Sequence, residues 1–235
     1  MSLASRLHGT HQHDSHDHRG GHAHNTPGDA ETEGITLHHG ARYENFTNVF
    51  FLGRRSAVFD RLAALSGARP GDRVLDVGCG TGYLTRRLAR IVRPEAQQGS
   101  VTGVDASAGM LAQAKHLSEP SIGYTVGTAE ALDFAEESFD VVTSSLMLHH
   151  LPPELRVPAL REMHRVLRPG GRLLIGEFRP PRSRLSRHFL ASITHPMMLE
   201  DQRETLPALL REAGFEPPTI GELRPWIAYF QAIRP

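Results

Sequence analysis

The run Val74-Leu75-Asp76-Val77-Gly78-Cys79-Gly80-Thr81-Gly82 is the segment with the clearest chemical potential. An apolar, strand-like stretch leads into glycines at alternate positions, and a helix-like stretch follows. Glycines lacking a Cβ let backbone N–H groups come close to a ligand, and the helix that follows adds its positive N-terminal end. At the carboxyl edge of an open α/β sheet, such a turn binds nucleotide-like ligands. A dinucleotide fingerprint would place its third glycine at position 83, where Tyr83 stands, so the spacing is G-x-G-x-G rather than G-x-G-x-x-G. That spacing, and the lack of a hydride-transfer constellation, disfavour a nicotinamide-dependent oxidoreductase. A structural reading of the turn, as a tight strand-to-helix connection, stands beside the binding one.

Cysteine and histidine chemistry is restricted. Cys79 is the only cysteine, which excludes an internal disulfide, a Cys-only zinc site and a Cys-ligated iron–sulfur cluster. Inside the turn it reads as a small packing residue rather than a nucleophile. Nine of the fifteen histidines fall in residues 1–40, among them the pairs His11 and His13, His16 and His18, and His22 and His24. Spaced this way in an extended chain, each pair turns both imidazoles to one side and can hold Ni²⁺, Cu²⁺ or Zn²⁺ loosely. Equally, the segment reads as a solvated tail with adventitious affinity for metal. It shows no helical or strand periodicity and is expected to be disordered.

The elements that must position the turn follow from residue 41 onward as alternating helices and short apolar strands. Strands are predicted at 73–77, 100–104, 122–126, 139–144, 172–178, 218–223 and 226–233. Helices are predicted around Val58, Leu62 and Leu65, then at 83–92, 108–117, 153–167 and 206–213. The helix at 153 opens on proline and is closed by Pro169-Gly170-Gly171, both favoured places. Alternation of this kind gives an α/β fold, doubly wound, with helices on both faces of the sheet. The 235 residues suit one such domain over 41–235 after the tail.

Composition narrows the function. Lys+Arg and Asp+Glu are both 26, so no net basic field exists to hold a nucleic acid. No stretch approaches the roughly 20 apolar residues that span a bilayer, and the chain begins without an apolar segment of signal-peptide length. A cytoplasmic protein is expected.

LDVGCGTG resembles the first motif of class I S-adenosylmethionine-dependent methyltransferases, and four later segments fit that family in order: VDAS at 104–107, then GTAEAL, FDVVTSSLMLHHL and LRPGGRLLIGEF. LHHLP followed by LRPGG is similar to the small-molecule members, including bacterial quinone C-methyltransferases and phospholipid N-methyltransferases. The resemblance implies a Rossmann-like, mostly parallel seven-stranded sheet and S-adenosyl-L-methionine as cofactor. It also implies site residues. Asp105 would accept bonds from the ribose hydroxyls, although a helix-capping role is the bland alternative. Asp76 would face the methionine portion or order the glycine loop. Gly78, Cys79, Gly80 and Gly82 would give the cofactor room, and Ala106 and Met110 would contact adenosine. The family often has Asp beside Ala in the adenine loop; here Thr128 precedes Ala129 and Glu130, leaving the Ala129 N–H as the surest donor. Ser144 and Leu146 would wall the site, and Tyr43 resembles an aromatic that closes over the cofactor.

Methyl transfer from a sulfonium is an in-line displacement, so the protein mainly aligns the nucleophile, an effect worth on the order of 7–11 kcal/mol. A base is needed only where the acceptor must lose a proton. His149, His150 and Glu177 are the candidates, with packing and helix entry as their structural alternative. The insert at 179–200 mixes Arg179, Arg182, Arg184 and Arg187 with Phe189, Leu190, Ile193, Met197, Met198 and Leu199. It suits a lid over an amphipathic acceptor, or else a solvated connection. Asn- or Asp-Pro-Pro-aromatic and Pro-Cys signatures of DNA methyltransferases are lacking, so the acceptor is expected to be a small, apolar or lipid-like molecule. The rival reading is a non-catalytic S-adenosylmethionine-binding or metal-responsive sensor.

Overall fold

The computed structural model describes residues 28–32, 51, 53–180 and 200–235. The histidine pairs, Tyr43 and residues 181–199 of the insert lie outside the described residues. Strands β1 (Arg73–Val77), β2 (Ser100–Asp105), β3 (Ile122–Val126), β4 (Phe139–Ser145), β5 (Leu167–Phe178), β6 (Thr219–Leu223) and β7 (Ile227–Ile233) form one sheet in the order β3-β2-β1-β4-β5-β7-β6. β1 to β5 pair in parallel; β7 is antiparallel to β5 and β6 to β7. The order reverses between β1 and β4, which makes their carboxyl ends the switch point where open α/β sheets bind ligands.

Helices α1 (Arg55–Leu65), α2 (Thr85–Val92), α3 (Pro94–Gln97), α4 (Ala108–His116), α5 (Pro153–Val166) and α6 (Gln202–Glu212) complete the described elements. Local chemistry fixes their starts. Ser107 accepts from the Met110 N–H at the head of α4, Asp201 accepts from the Arg203 N–H at the head of α6, and α5 opens on Pro153.

Side chains alternate across the sheet. Leu75, Val77, Val142 and Ile175 join Leu160 and Met163 of α5, Leu206 and Leu210 of α6, and Phe230 of β7 in one core. Val74, Val141 and Leu174 join Phe59 and Leu62 of α1 and Leu88 of α2 in the other. The expected fold is therefore present, with a core on each face.

Three local expectations change. The helix after the glycine turn begins at Thr85, because residues 81–84 are still turning. Pro169-Gly170-Gly171 does not separate α5 from a strand beginning at 172; it lies within β5, as an irregularity between the pairs Phe139↔Leu167 and Val141↔Arg172. Gly170 N–H donates to Arg234 O and Arg234 N–H to Gly171 O, so the loop stays tied to the end of β7. The short α3 and a 3-10 turn at Leu148–His150 have no periodicity that a sequence reading can catch.

Asp76 occupies a strand position where alternation calls for an apolar side chain. It is fully buried on the α2 face and accepts hydrogen bonds from Thr85 Oγ1 of α2 at 2.6 Å and Thr143 Oγ1 of β4 at 2.8 Å. One carboxylate thus joins β1, β4 and the start of α2. Burial raises its pKa from 3.8 to about 6, against the lowering effect of the two hydroxyls.

Gly176 is a second point of contact between sheet and helix. A Cβ there would lie 3.2 Å from Leu62 Cδ2 and 3.3 Å from Cδ1, so the missing side chain lets α1 settle on β5.

Two outcomes are expected. Because the folded-state pKa of Asp76 is raised, its protonated form favours the fold; that stability is complete below 3.8 and is lost as pH rises through about 6. Urea denaturation should show Asp76→Asn gaining on the wild type by up to about 3 kcal/mol across that window; parallel curves would contradict the burial argument. Gly176→Val should cost about 1–3 kcal/mol by overpacking against Leu62, read in the same titration as a lowered midpoint at unchanged slope.

Candidate active site at the carboxyl edge of the sheet

The carboxyl ends of β1, β2 and β4 open into a cleft whose space, open solvent at its mouth included, is about 940 Å³. Its floor is the glycine turn. Gly78 and Cys79 N–H groups both donate to Val104 O, at 2.8 and 3.0 Å, and Gly82 N–H donates to Cys79 O. All three glycines have positive φ, of 68°, 54° and 71°, but their surroundings differ. A Cβ at 78 would fall 2.2 Å from Met147 Cγ and one at 82 would fall 2.3 Å from Tyr124 Oη. At those two positions the missing Cβ leaves room for Met147 and Tyr124, while Gly78 also lines the cleft. At Gly80 the nearest atom is Met110 Cε at 3.4 Å, and this glycine lines the cleft.

Asp105 stands beside it. Its Oδ2 accepts from Gly80 N–H at 2.7 Å and its Oδ1 from Ser107 N–H at 2.9 Å. Burial pushes the carboxyl up, and those two N–H bonds pull it back. A carboxylate oxygen has two acceptor sites, so each retains one beyond these bonds. Asp105 therefore both holds the turn and presents acceptors at the cleft, where it is a lining residue.

On the β3 side, Gly127 N–H donates to Asp105 O, and a bridge between Thr128 and Ala131 makes a tight turn with Ala129 and Glu130 at its tip. Residues 28–32, inside the segment expected to be disordered, lie across this end. Ala30 N–H donates to Ala106 O, Asp29 Oδ1 accepts from Ala108 N–H at 2.8 Å, and Thr32 Oγ1 donates to Glu130 Oε1 at 3.1 Å.

The opposite end is more apolar. Leu146 leaves β4 with a φ of 56°, a left-handed conformation unusual for a branched side chain, and its N–H is tied to Gly176 O at 2.8 Å. Leu146, Met147, Leu151, Phe59 and Tyr83 all line the cleft. Arg55, 3% exposed, places its guanidinium carbon 3.6 Å from the Tyr83 ring centroid. Arg87 packs on the same ring at 3.9 Å and pairs with Asp60 at 2.8 Å.

The candidate bases separate. Glu177 is fully buried; its Oε1 accepts from Met147 and Leu148 N–H, and its Oε2 shares a 2.7 Å hydrogen bond with His149 Nδ1. Both side chains brace the 3-10 turn and neither lines the cleft. His150 does line it, with its ring 4.1 Å from that of His149.

Of the residues singled out in the sequence, Gly78, Cys79, Gly80, Asp105, Ala106, Met110, Thr128, Ala129, Glu130, Leu146 and His150 are brought together around the cleft. Asp76, Gly82, Ser144, His149 and Glu177 are not among its lining residues. Sequence reasoning missed Thr32, Arg55, Phe59, Tyr83 and Met147. Tyr83, directly after the glycine turn, was within reach of such reasoning; Thr32 and Arg55 come from segments that carry no motif. Among the described residues no group of three or more His, Cys, Asp or Glu side chains could hold a metal ion, and no helix is long and apolar enough to cross a membrane.

The residues present fit an adenosyl cofactor: Gly80 leaves space on the floor, Asp105 offers acceptors, and Glu130 Oε2 is enclosed with no donor among the described residues. Comparison with known proteins agrees. Residues 74–171 match the family model described as a methyltransferase domain. The ubiquinone/menaquinone biosynthesis C-methyltransferase UbiE of Vibrio vulnificus is 36% identical over 178 residues, 64% of this chain and 66% of that protein. Its counterpart in Vibrio cholerae serotype O1 is 35% identical, covering 67% of this chain and 69% of the relative. A demethylmenaquinone methyltransferase of Beutenbergia cavernae is 41% identical over 145 residues, 60% of this chain and 55% of the relative. The chain thus spans somewhat over half to about two thirds of the curated relatives it matches. Among solved structures, a SAM-dependent methyltransferase from Aquifex aeolicus shares the fold, with a TM-score of 0.63, 19% identity, and coverage of 75% of this chain and 89% of the other. The glycine turn, the acidic end of β2, the sheet order and these matches together place the chain in the class I S-adenosylmethionine-dependent methyltransferases.

Proposed function

We propose that the protein transfers a methyl group from S-adenosylmethionine to a ring carbon of a small apolar hydroquinone. The observation that carries this reading is Asp105, which holds Gly80 N–H at 2.7 Å while lining the cleft beside it. A carboxylate so placed binds vicinal ribose hydroxyls and fixes the floor under the methionine end in one interaction. The acceptor class is drawn from the names of the relatives, a ubiquinone/menaquinone C-methyltransferase and a demethylmenaquinone methyltransferase. Phe59, Leu146, Met147 and Leu151 supply an apolar wall that suits such a ring.

When bound, the cofactor supplies a methyl group activated by its sulfonium. The chain's own residues do the rest. Asp105 accepts from the ribose hydroxyls, the Ala129 N–H donates to the adenine ring, and Gly80 admits the chain leading to sulfur. Leu146 and Met147 limit where an acceptor can lie, and alignment is the main catalytic effect. His150 takes the proton from an acceptor hydroxyl, which raises electron density at the ring carbon; once that carbon carries the methyl group it gives up its own proton to solvent, and the oxygen regains one from His150, which restores the aromatic ring. Glu177 and His149 act as positioning residues, because they fix the turn that carries His150.

The test uses the full chain with isotopically labelled S-adenosylmethionine and a demethylmenaquinol of shortened side chain under reducing conditions. A product labelled at the ring carbon is expected. Asp105→Ala should weaken cofactor binding by about tenfold to a hundredfold, the value of hydrogen bonds to a charged group. His150→Gln should lower kcat by about a hundredfold, with cofactor affinity unchanged. Cofactor binding without methyl transfer to any hydroquinone would overturn the acceptor assignment.

A further inference from the structure

The cofactor assigned above must be held by its adenine as well as its ribose, and the turn that should do so departs from the familiar pattern, with Thr128 in place of an acidic residue. The backbone bridge between Thr128 and Ala131 leaves Ala129 and Glu130 at the tip. Glu130 is already oriented: Thr32 Oγ1 donates to its Oε1 at 3.1 Å, and both residues line the cleft. Its second oxygen, Oε2, is enclosed and has no hydrogen-bond partner among the described residues. An enclosed carboxylate oxygen without a donor is unfavourable, and a ligand that brings a donor relieves it.

Thr32 is itself held in place. The short segment 28–32 is anchored through Ala30 N–H to Ala106 O at 2.9 Å and through Asp29 Oδ1 to Ala108 N–H at 2.8 Å. Both anchors sit on the connection that follows Asp105. The segment therefore straps the ribose side of the site to the adenine side.

We propose that the Glu130 carboxylate, oriented by Thr32 from this strap, accepts a hydrogen bond from the exocyclic amino group of the cofactor's adenine. The proposal rests on the S-adenosylmethionine reading above and assigns its base specificity. Glu130 takes the role that Thr128 does not, and recognition of the base depends on a segment far from the glycine turn in sequence.

Titration of the full chain with S-adenosylhomocysteine and with S-inosylhomocysteine, whose 6-oxo group replaces the amino group, tests it. A carbonyl oxygen facing a carboxylate is repelled, so the wild type should prefer the adenine ligand by about tenfold or more. Ala129 N–H also distinguishes the two rings, so the change in preference between variants is the decisive reading. Glu130→Gln can turn its amide NH₂ toward the carbonyl, and should bring the two affinities within a few-fold of each other. Thr32→Val, which keeps the side-chain size and removes the donor, should reduce the preference by a smaller factor with an unchanged Tm. A preference unaltered in both variants, or affinities that fall equally for both ligands, would overturn the proposal while leaving the cofactor reading in place. Failure of the wild type to bind S-adenosylhomocysteine would overturn that reading and this one together.

Discussion

The bond between Asp105 and the Gly80 N–H is the interaction on which the site depends. It ties the end of one strand to the turn that leaves its neighbour, so the floor of the cleft is set by the sheet rather than by a loop alone. A turn of three positive-φ glycines would otherwise sample many shapes. Here Gly78 and Cys79 are pinned to Val104, Gly78 and Gly82 are pressed against Met147 and Tyr124, and Gly80 has the most open surroundings of the three glycines. Asp76 repeats the device one layer deeper, with two hydroxyls in place of backbone N–H groups.

Much of this was legible in the sequence, for definite reasons. The glycine spacing and Asp105 are local signals: each is written in a few consecutive residues and needs only the strand before it. The doubly wound α/β class and the approximate places of the strands followed from the alternation of helices with short apolar runs; the strand order did not. Glu177 was read as a candidate base because it ends β5 near the cleft, but its side chain lies on the α5 face, where His149 and two backbone N–H groups take it. Which way a strand-end carboxylate turns is decided by register with the neighbouring loop, and a single sequence does not display register. Thr32 and Arg55 were missed for a related reason: they reach the cleft from segments whose only relation to it is spatial.

The two ends of the cleft are built by different means. The cofactor end relies on backbone N–H groups and carboxylates, which are insensitive to side-chain fashion elsewhere. The opposite end, where the acceptor is proposed to lie, relies on side chains from α1, the residue after the glycine turn and the turn after β4, with Arg55 and Arg87 gathered on Tyr83. Variation in those side chains can alter the acceptor without touching the floor.

The left-handed Leu146 limits that freedom. Its N–H is held by Gly176 O, and the α-carbon of Gly176 is the surface on which Leu62 of α1 rests. The turn after β4 and the first helix therefore both rest on Gly176 of β5. Any residue at 176 would keep the carbonyl that holds Leu146, but one with a side chain would press on Leu62 as well, so a shift of the first helix is passed through a single peptide to the far wall of the cleft.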